Sequence, residues 1–238
     1  MAGFVDLTSS LGKKIRHDNL RLVGQIADYN PGIDGREQVL YAENRVWQGT
    51  IEFPPMFGRD LALLRSVPTR LHNRAGILRI PLLNVASLQR VFGGAHKFQQ
   101  SVGVPQTAID QGYTTFGDTT TFSDNTGYAL PEMAHEYLSE DLVTGAMSVT
   151  LDSYIGRHLA IGDRFSIMNR LYEVGKNDDG RIRFSPPLRT AAPTGTLVRV
   201  SEPYIDLRLA GNADWDVFVN LGTYSNPLTV NVVEAFYR

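Results

Sequence analysis

The chain has 238 residues, of which 42% are hydrophobic and 20% are charged, as in ordinary globular proteins with one large or two small hydrophobic cores. Its formal net charge of −2 argues against a protein that grips nucleic acid through the phosphates, because such binding requires clustered lysine and arginine. The chain has no cysteine, which excludes disulfides, thiolate catalysis and metal sites built on thiolates.

The first strong strand signal lies at residues 45–53. Trp47, Ile51 and Phe53 fall on one face and polar residues on the other, which predicts a half-buried strand. Two prolines directly after Phe53 end this pattern.

Residues 59–73 are the best helix candidate. Three leucines fall near one face of it: Leu61, Leu64 and Leu71. Asp60 can cap its first turn, and Pro68 predicts that the helix kinks there or ends just before that residue. A further strand is predicted over 77–83.

Residues 93–131 have a different composition, with repeated glycines, many small polar residues and few apolar ones. Such a segment cannot build a compact core, so we expect a long excursion in the form of a hairpin or a mobile arm. A short helix is predicted over 131–142.

Short alternating segments return after residue 146. Their spacing, with turns between them, predicts a small β-barrel over about 145–202. A hairpin is predicted with its turn near Asn169 and Arg170, and a second turn over 176–180. Three more alternating stretches follow, and one face of the last carries Leu228, Val230, Val232, Glu234 and Phe236.

The acidic residues offer one candidate enzyme site. Glu132, Glu136 and Glu140 recur every four residues in the predicted helix 131–142. Paired carboxylates can cleave a glycosidic bond, so a cell-wall hydrolase using Glu136 or Glu140 is one hypothesis. A stripe of glutamates is more often a solvated helix face, and we predict that the chain is not an enzyme.

Metal and phosphate motifs are incomplete. His135 and Glu136 resemble the start of a zinc-protease motif, but Ser139 stands where the second histidine is required. The segment 178–180 lacks the closing glutamate of a calcium loop and indicates a hairpin turn. The glycines at 93–94 lack the spacing of a phosphate loop. We therefore predict no metal ion and no cofactor.

The polar excursion carries four aromatic residues that are candidates for contact with a receptor or glycan: Tyr113, Phe116, Phe122 and Tyr128. Exposed aromatic rings can stack on sugars, so the alternative function is a carbohydrate- or receptor-binding module. Trp47 and Trp215 lie in alternating strand patterns, where packing in the core is the expected role.

Three blocks of the chain resemble the distal tail proteins of long-tailed bacteriophages. Residues 46–56 (VWQGTIEFPPM), followed by a helix and a strand that begins after a glycine, are similar to the N-terminal part of that family. Residues 161–174 (IGDRFSIMNRLYEV) and 184–189 (FSPPLR) resemble a small barrel inserted into tail proteins of phages that infect Gram-negative hosts. Residues 230–236 (VNVVEAF) resemble the closing strand.

The resemblance implies a mainly-β fold with two parts. A β-sandwich ring domain with one helix is expected from residues 1–92 with 203–238. An inserted domain is expected at 93–202, with the polar excursion at 93–131 and an OB-like small β-barrel at about 145–202.

The resemblance also implies a structural role in the virion. Distal tail proteins form a homohexameric ring that joins the tail tube to the tail-tip hub and fibres, so the implied partners are other copies, the tube protein, and the hub and fibre proteins. The implied location is the tail tip, after assembly in the host cytoplasm. A host-surface glycan is a partner only under the alternative function. The start of the chain lacks the features of a signal peptide, and no segment approaches the roughly 18 apolar residues of a membrane helix. We expect neither membrane insertion nor sequence-specific binding of nucleic acid.

Overall fold

The computed structural model describes residues 3–8, 14–24, 45–72, 75–82, 100, 105–106, 108, 113–114, 128–129, 135–151, 154–200, 202–211, 215, 217, 219–220 and 224–236. The fold is mainly β, as expected. The strands are β1 (Phe4–Asp6), β2 (His17–Asp18), β3 (Arg21–Val23), β4 (Val46–Phe53), β5 (Ile77–Pro81), β6 (Tyr113–Thr114), β7 (Tyr128–Ala129), β8 (His135–Tyr137), β9 (Ser148–Thr150), β10 (Arg164–Ile167), β11 (Arg170–Asp178), β12 (Arg181–Ser185), β13 (Leu197–Arg199), β14 (Tyr204–Leu209), β15 (Val219–Asn220), β16 (Tyr224–Ser225) and β17 (Leu228–Glu234). The helices are α1 (Gly58–Leu71) and α2 (Tyr154–His158). Neither described helix has the length and apolar character that crossing a bilayer requires.

A seven-stranded sheet combines strands from the beginning and the end of the chain. Its order is β1-β5-β14-β17-β4-β2, and β3 also pairs with β4. The longest contact is between β17 and β4, which run antiparallel from the pair Leu228 and Phe53 to the pair Val233 and Gln48. β1 runs parallel to β5, and the other pairs are antiparallel. The predicted strand at 45–53 is confirmed, with Trp47 among the side chains buried on its apolar face.

Helix α1 covers the apolar face of this sheet. Its buried residues are Leu61, Leu64, Val67 and Leu71. The prediction that Asp60 caps the helix is wrong, because the N-cap is Phe57, which has an extended backbone and makes no capping side-chain hydrogen bond. Asp60 instead lies in the first turn, where a carboxylate is favoured by the helix dipole.

The helix also continues beyond Pro68 to Leu71, so the prediction that it ends before the proline is wrong. Proline has no N–H and therefore cannot donate to the carbonyl four residues earlier, that of Leu64. The indole Nε1 of Trp215 donates to that carbonyl instead, at 3.0 Å. Trp215 also packs against Phe53, with 5.5 Å between ring centroids. A distant residue thus satisfies the group that Pro68 leaves unpaired.

A six-stranded sheet curls around a second core. Its order is β8-β13-β10-β11-β12-β9, and its two outer strands belong to one segment, residues 135–151. Between β8 and β9, this segment also makes backbone hydrogen bonds to the chain between β12 and β13. Leu138 N donates to Thr196 O at 3.0 Å, and Leu188 N donates to Ala146 O at 2.8 Å. The short helix predicted over 131–142 is wrong at the described residues 135–142, because residues 135–137 pair with β13 as a strand and residues 138–142 contain no helix. Residues 131–134 lie outside the described part of the chain.

Two tight hairpins organise the curled sheet. β10 and β11 are joined through Met168 and Asn169, whose φ values of 50° and 61° suit a two-residue turn of type I′. This confirms the predicted hairpin. β11 and β12 are joined through Asp179 and Gly180, with φ values of 49° and 98°. The second turn is therefore shorter than the predicted segment 176–180, since β11 extends to Asp178.

The molecule has two buried hydrophobic clusters. One lies between the seven-stranded sheet and α1, and the other lies inside the curled sheet. Three aromatic rings form the centre of the second cluster: Phe165, Tyr172 and Phe184, with centroids 5.1 to 5.7 Å apart. β11 contributes to both clusters, because Leu171 belongs to the first and its neighbour Tyr172 to the second.

Candidate functional site

The predicted aromatic contact residues lie only partly within the described chain. β6 and β7 pair antiparallel, with Tyr113 opposite Ala129 and Thr114 opposite Tyr128. Tyr113 and Tyr128 therefore belong to paired strands, although they are not register partners of each other. Phe116 and Phe122 lie outside the described residues. The receptor or glycan role of all four stays a prediction.

The glutamates of the predicted helical stripe do not lie on a helix. Glu136 is buried within β8, whereas Glu140 is exposed in the bend that follows. Glu132 lies outside the described residues. The four-residue spacing of these glutamates therefore does not correspond to one face of a helix. The expectation of a solvated helix at His135 is wrong, because His135 belongs to β8.

The described ranges contain no metal-ligand cluster: within them, no three His, Cys, Asp or Glu side chains lie close enough together to hold a metal ion. Asn177, directly before the segment 178–180, has a structural role. Its Nδ2 donates to Gly156 O and Leu159 O, each at 2.8 Å, and its Oδ1 accepts from Gly180 N at 2.8 Å. The side chain therefore holds the end of α2 against the β11–β12 turn.

The most elaborate polar arrangement in the described chain lies where the two sheets meet. Trp47 of β4 is buried there, and its Nε1 donates to Leu171 O of β11 at 2.8 Å. On the other side of the junction, Tyr204 N donates to Ser166 Oγ at 2.9 Å. Each bond links a side chain of one sheet to a backbone group of the other.

A buried ion pair lies at the centre of this junction. Glu234, at the end of β17, faces Arg189 at 3.3 Å between Oε2 and Nη2, with side chains that are 1% and 13% exposed. Glu234 also accepts from Trp47 N at 3.2 Å, and Arg189 donates to the carbonyl of Arg45. Both charges therefore have more than one partner, which a buried ion pair requires to be stable.

Further arginines extend the junction. Arg170 donates to the carbonyl of Ala235. The rings of Phe236 and Trp47 take part as well: Arg189 lies 5.0 Å from the centroid of Phe236, and Arg164 lies 5.1 Å from that of Trp47. Stacking a guanidinium on an aromatic face adds attraction without requiring a second carboxylate.

Tyr172 connects the junction to the core of the curled sheet. Its hydroxyl oxygen accepts from Arg189 N at 3.2 Å. Burial raises the pKa of Tyr172 to about 12, and the charge of Glu234 acts in the same direction, whereas the hydrogen bond from Arg189 opposes the shift. The phenol is therefore protonated throughout the physiological range and serves as a packing and hydrogen-bonding group.

Glu234 is the one residue whose sequence pattern points to this junction. Glu234 shares its strand face with Leu228, Val230 and Val232, and all four are buried. A carboxylate on an apolar face needs a buried partner. Arg189 and the other arginines carry no such signal, because an arginine in a loop or at a strand end is usually solvated.

The two outer edges of the seven-stranded sheet differ. At β1, Gly3 O and Leu7 N bond to β5. Since alternate residues direct their backbone groups to the same side, the N–H and C=O of Phe4 and Asp6 point away from β5. No described strand covers that side. The ring of Phe4 is 46% exposed, with Arg79 at 4.9 Å from its centroid.

The opposite edge, at β2 and β3, contacts the curled sheet. Arg164 of that sheet donates to Asp18 Oδ1 at 3.0 Å and to Leu20 O at 2.7 Å. β2 and β3 keep one register against β4, and between them Asn19 O lies 1.9 Å from the position that a Cβ on Gly49 would occupy. A charge inserted at a sheet edge disfavours pairing with another strand.

Comparison with protein-family models and with curated proteins finds no match for this chain.

Proposed function

We propose that this chain is a structural virion protein that forms a ring at the distal end of a phage tail tube and joins the tube to the tail-tip hub and fibres. The resemblance of residues 46–56, 161–174, 184–189 and 230–236 to distal tail proteins is the starting point of the proposal. Within it, residues 1–92 with 203–238 form a β-sandwich ring domain. The curled sheet, which also takes in β8 at residues 135–137, contains the inserted OB-like barrel at about 145–202.

The observation that carries the proposal is the open edge at β1. The outward-facing backbone groups of Phe4 and Asp6 have no described strand beside them and can pair with a strand of a neighbouring copy, and the half-exposed Phe4 would be buried by the same contact. At the opposite edge the charge of Arg164 lies against Asp18 and Leu20, which disfavours pairing there. Association of copies at β1 is therefore the expected route to a ring.

The junction supports an adaptor role for the second sheet. An adaptor must hold its outward-facing part at a fixed angle, and direct bonds such as Trp47 to Leu171 suit that requirement. The net charge of −2 is also compatible with a channel that passes DNA, because a strongly basic wall would retain phosphates.

The test is the solution mass of the full chain by light scattering over a range of concentrations. We expect the wild type to associate to about six times its mass of 26.4 kDa. Phe4→Lys places a charge on the open edge and should shift the protein to monomer without unfolding it. Met168→Lys is the matched control, since Met168 is 47% exposed in the β10–β11 turn, and it should associate like the wild type.

A wild type that remains monomeric at every concentration would contradict the proposal. Equal loss of association in both lysine variants would show that added charge, and not the β1 edge, is responsible.

The second candidate function is a carbohydrate- or receptor-binding tail module. One observation favours this candidate: the pairing of β6 with β7 brings the backbones of Tyr113 and Tyr128 onto two adjacent strands. Alanine at Tyr113 and Phe116 should then abolish binding to host cells or their glycans. Unchanged binding in that double variant would eliminate this candidate.

A further inference from the structure

A polar depression lies on the outer face of the seven-stranded sheet. Gln48 and Thr50 alternate with the buried apolar residues of β4, so they lie on the face opposite α1. The depression has a volume of about 310 Å³, at the lower end of the roughly 300–1,000 Å³ typical of small-ligand sites. It is lined by Asn19, Arg21, Gln48, Gly49, Thr50, Ala210, Asn231 and Val232.

Gly49 permits a close approach at the depression. Because this residue has no Cβ, the carbonyl oxygen of Asn19 can lie beside β4 at a distance that a side chain would forbid. β2 and β3 keep one register along β4, in which Arg21 lies opposite Gln48 and Asn19 N donates to Thr50 O at 2.9 Å. Pairing along β4 thus brings Asn19 and Arg21 into the lining.

Four polar side chains of the depression do not satisfy one another. Over the residues that the structure describes, the side chains of Asn19, Arg21, Gln48 and Thr50 make no hydrogen bond or ion pair. None of the described lining residues carries a carboxylate or an aromatic ring. These four residues therefore offer neutral donors and acceptors beside one guanidinium.

We propose that this depression binds a carboxylate-bearing sugar, such as a hexuronic acid residue of an acidic saccharide. Amide and hydroxyl side chains match the paired donor and acceptor character of sugar hydroxyls. The guanidinium of Arg21 matches a carboxylate, with which it can form two parallel hydrogen bonds. An apolar ligand would gain little from the described lining residues, because the apolar ones among them are small: Gly49, Ala210 and Val232. This inference does not depend on the proposed ring.

The test is a titration followed by the backbone amide signals of the full chain in NMR spectra. The probes are methyl glucuronide, methyl glucoside and acetate, at matched ionic strength. We expect the glucuronide to shift the signals of residues 48–50 and 231–232, and to bind at least about 10-fold more tightly than either other probe.

Two variants and one control make the test specific. Arg21→Gln removes the guanidinium, and Gln48→Glu places a carboxylate of the same shape opposite Arg21. Each should weaken glucuronide binding by about 10-fold or more. Arg59→Gln makes the same charge change at an exposed position of α1 and should leave glucuronide binding unchanged.

Absence of shifts with glucuronide at roughly 10 mM, which corresponds to the weakest binding of interest, would overturn the proposal. Equal affinity for methyl glucoside, which lacks the carboxylate, would also overturn it. So would equal affinity for acetate, which lacks the sugar hydroxyls. Unimpaired binding by Arg21→Gln would also overturn it.

Discussion

Glu234 and Arg189 show how single charged residues hold the two sheets together. A carboxylate with a side chain that is 1% exposed is costly to bury unless its partners replace water. Glu234 obtains those partners from Arg189 and from Trp47 N. Since the guanidinium of Arg189 also donates to the carbonyl of Arg45, removal of this side chain affects both contacts together. The bond to Tyr172 uses the backbone N–H of Arg189 and is independent of the side chain.

Arg189→Met should lower the free energy of unfolding by roughly 3–5 kcal/mol, because it leaves the buried carboxylate of Glu234 without its cation. The control is Lys176→Met, which breaks the surface ion pair between Lys176 and Asp178. These two side chains are 58% and 53% exposed, so the free energy of unfolding should change by less than about 0.5 kcal/mol. Urea unfolding measures both. The double variant Arg189→Met with Glu234→Met should recover most of the loss, and no recovery would contradict the pairing.

Tyr172 predicts a dependence of stability on alkaline pH. Its pKa is raised from 10.0 to about 12 in the folded state, so above pH 10 the unfolded chain loses this proton before the folded chain does. The contribution is fully present below pH 10 and is lost as the pH rises toward 12, by about 2 kcal/mol at pH 11.5. Urea unfolding of the wild type and Tyr172→Phe at pH 9 and pH 11.5 isolates it. A stability difference between the two proteins that does not change with pH would contradict this account.

At the scale of elements, local sequence patterns predicted the strands that have one apolar face packed against a hydrophobic core. The alternation around Trp47 and that of the last strand were sufficient to predict β4 and β17. The segment 135–137 was predicted to be helical, whereas its conformation is set by hydrogen bonds to residues 197–199. Local propensity is a weak prior where such distant pairing decides the backbone.

The course of α1 through Pro68 has a distant cause of the same kind. The Trp215 indole satisfies the carbonyl of Leu64, so Trp215→Phe should destabilise the chain by the lost hydrogen bond as well as by lost packing. In a Pro68→Ala background the helix supplies its own N–H to Leu64 O. The cost of Trp215→Phe should then fall by about 1 kcal/mol in a double-mutant cycle measured by urea unfolding. Strictly additive effects would contradict this explanation.

At the scale of the whole molecule, the sequence indicated a mainly-β chain and a resemblance to ring-forming tail proteins. It did not indicate the junction, because Arg164, Arg170 and Arg189 acquire buried partners only when two sheets meet. The polar depression was equally hidden, since Asn19 and Asn231 are far apart in the chain and become neighbours only through β4. Surfaces assembled from distant strands leave no periodic signal in a single sequence.

The proposed ring is tested most directly by electron microscopy of the purified full chain. We expect wild-type particles with a central channel and about six-fold symmetry. The Phe4→Lys variant should appear only as single small particles. Wild-type images that contain only single protomers or closed dimers without a channel would contradict the proposed function.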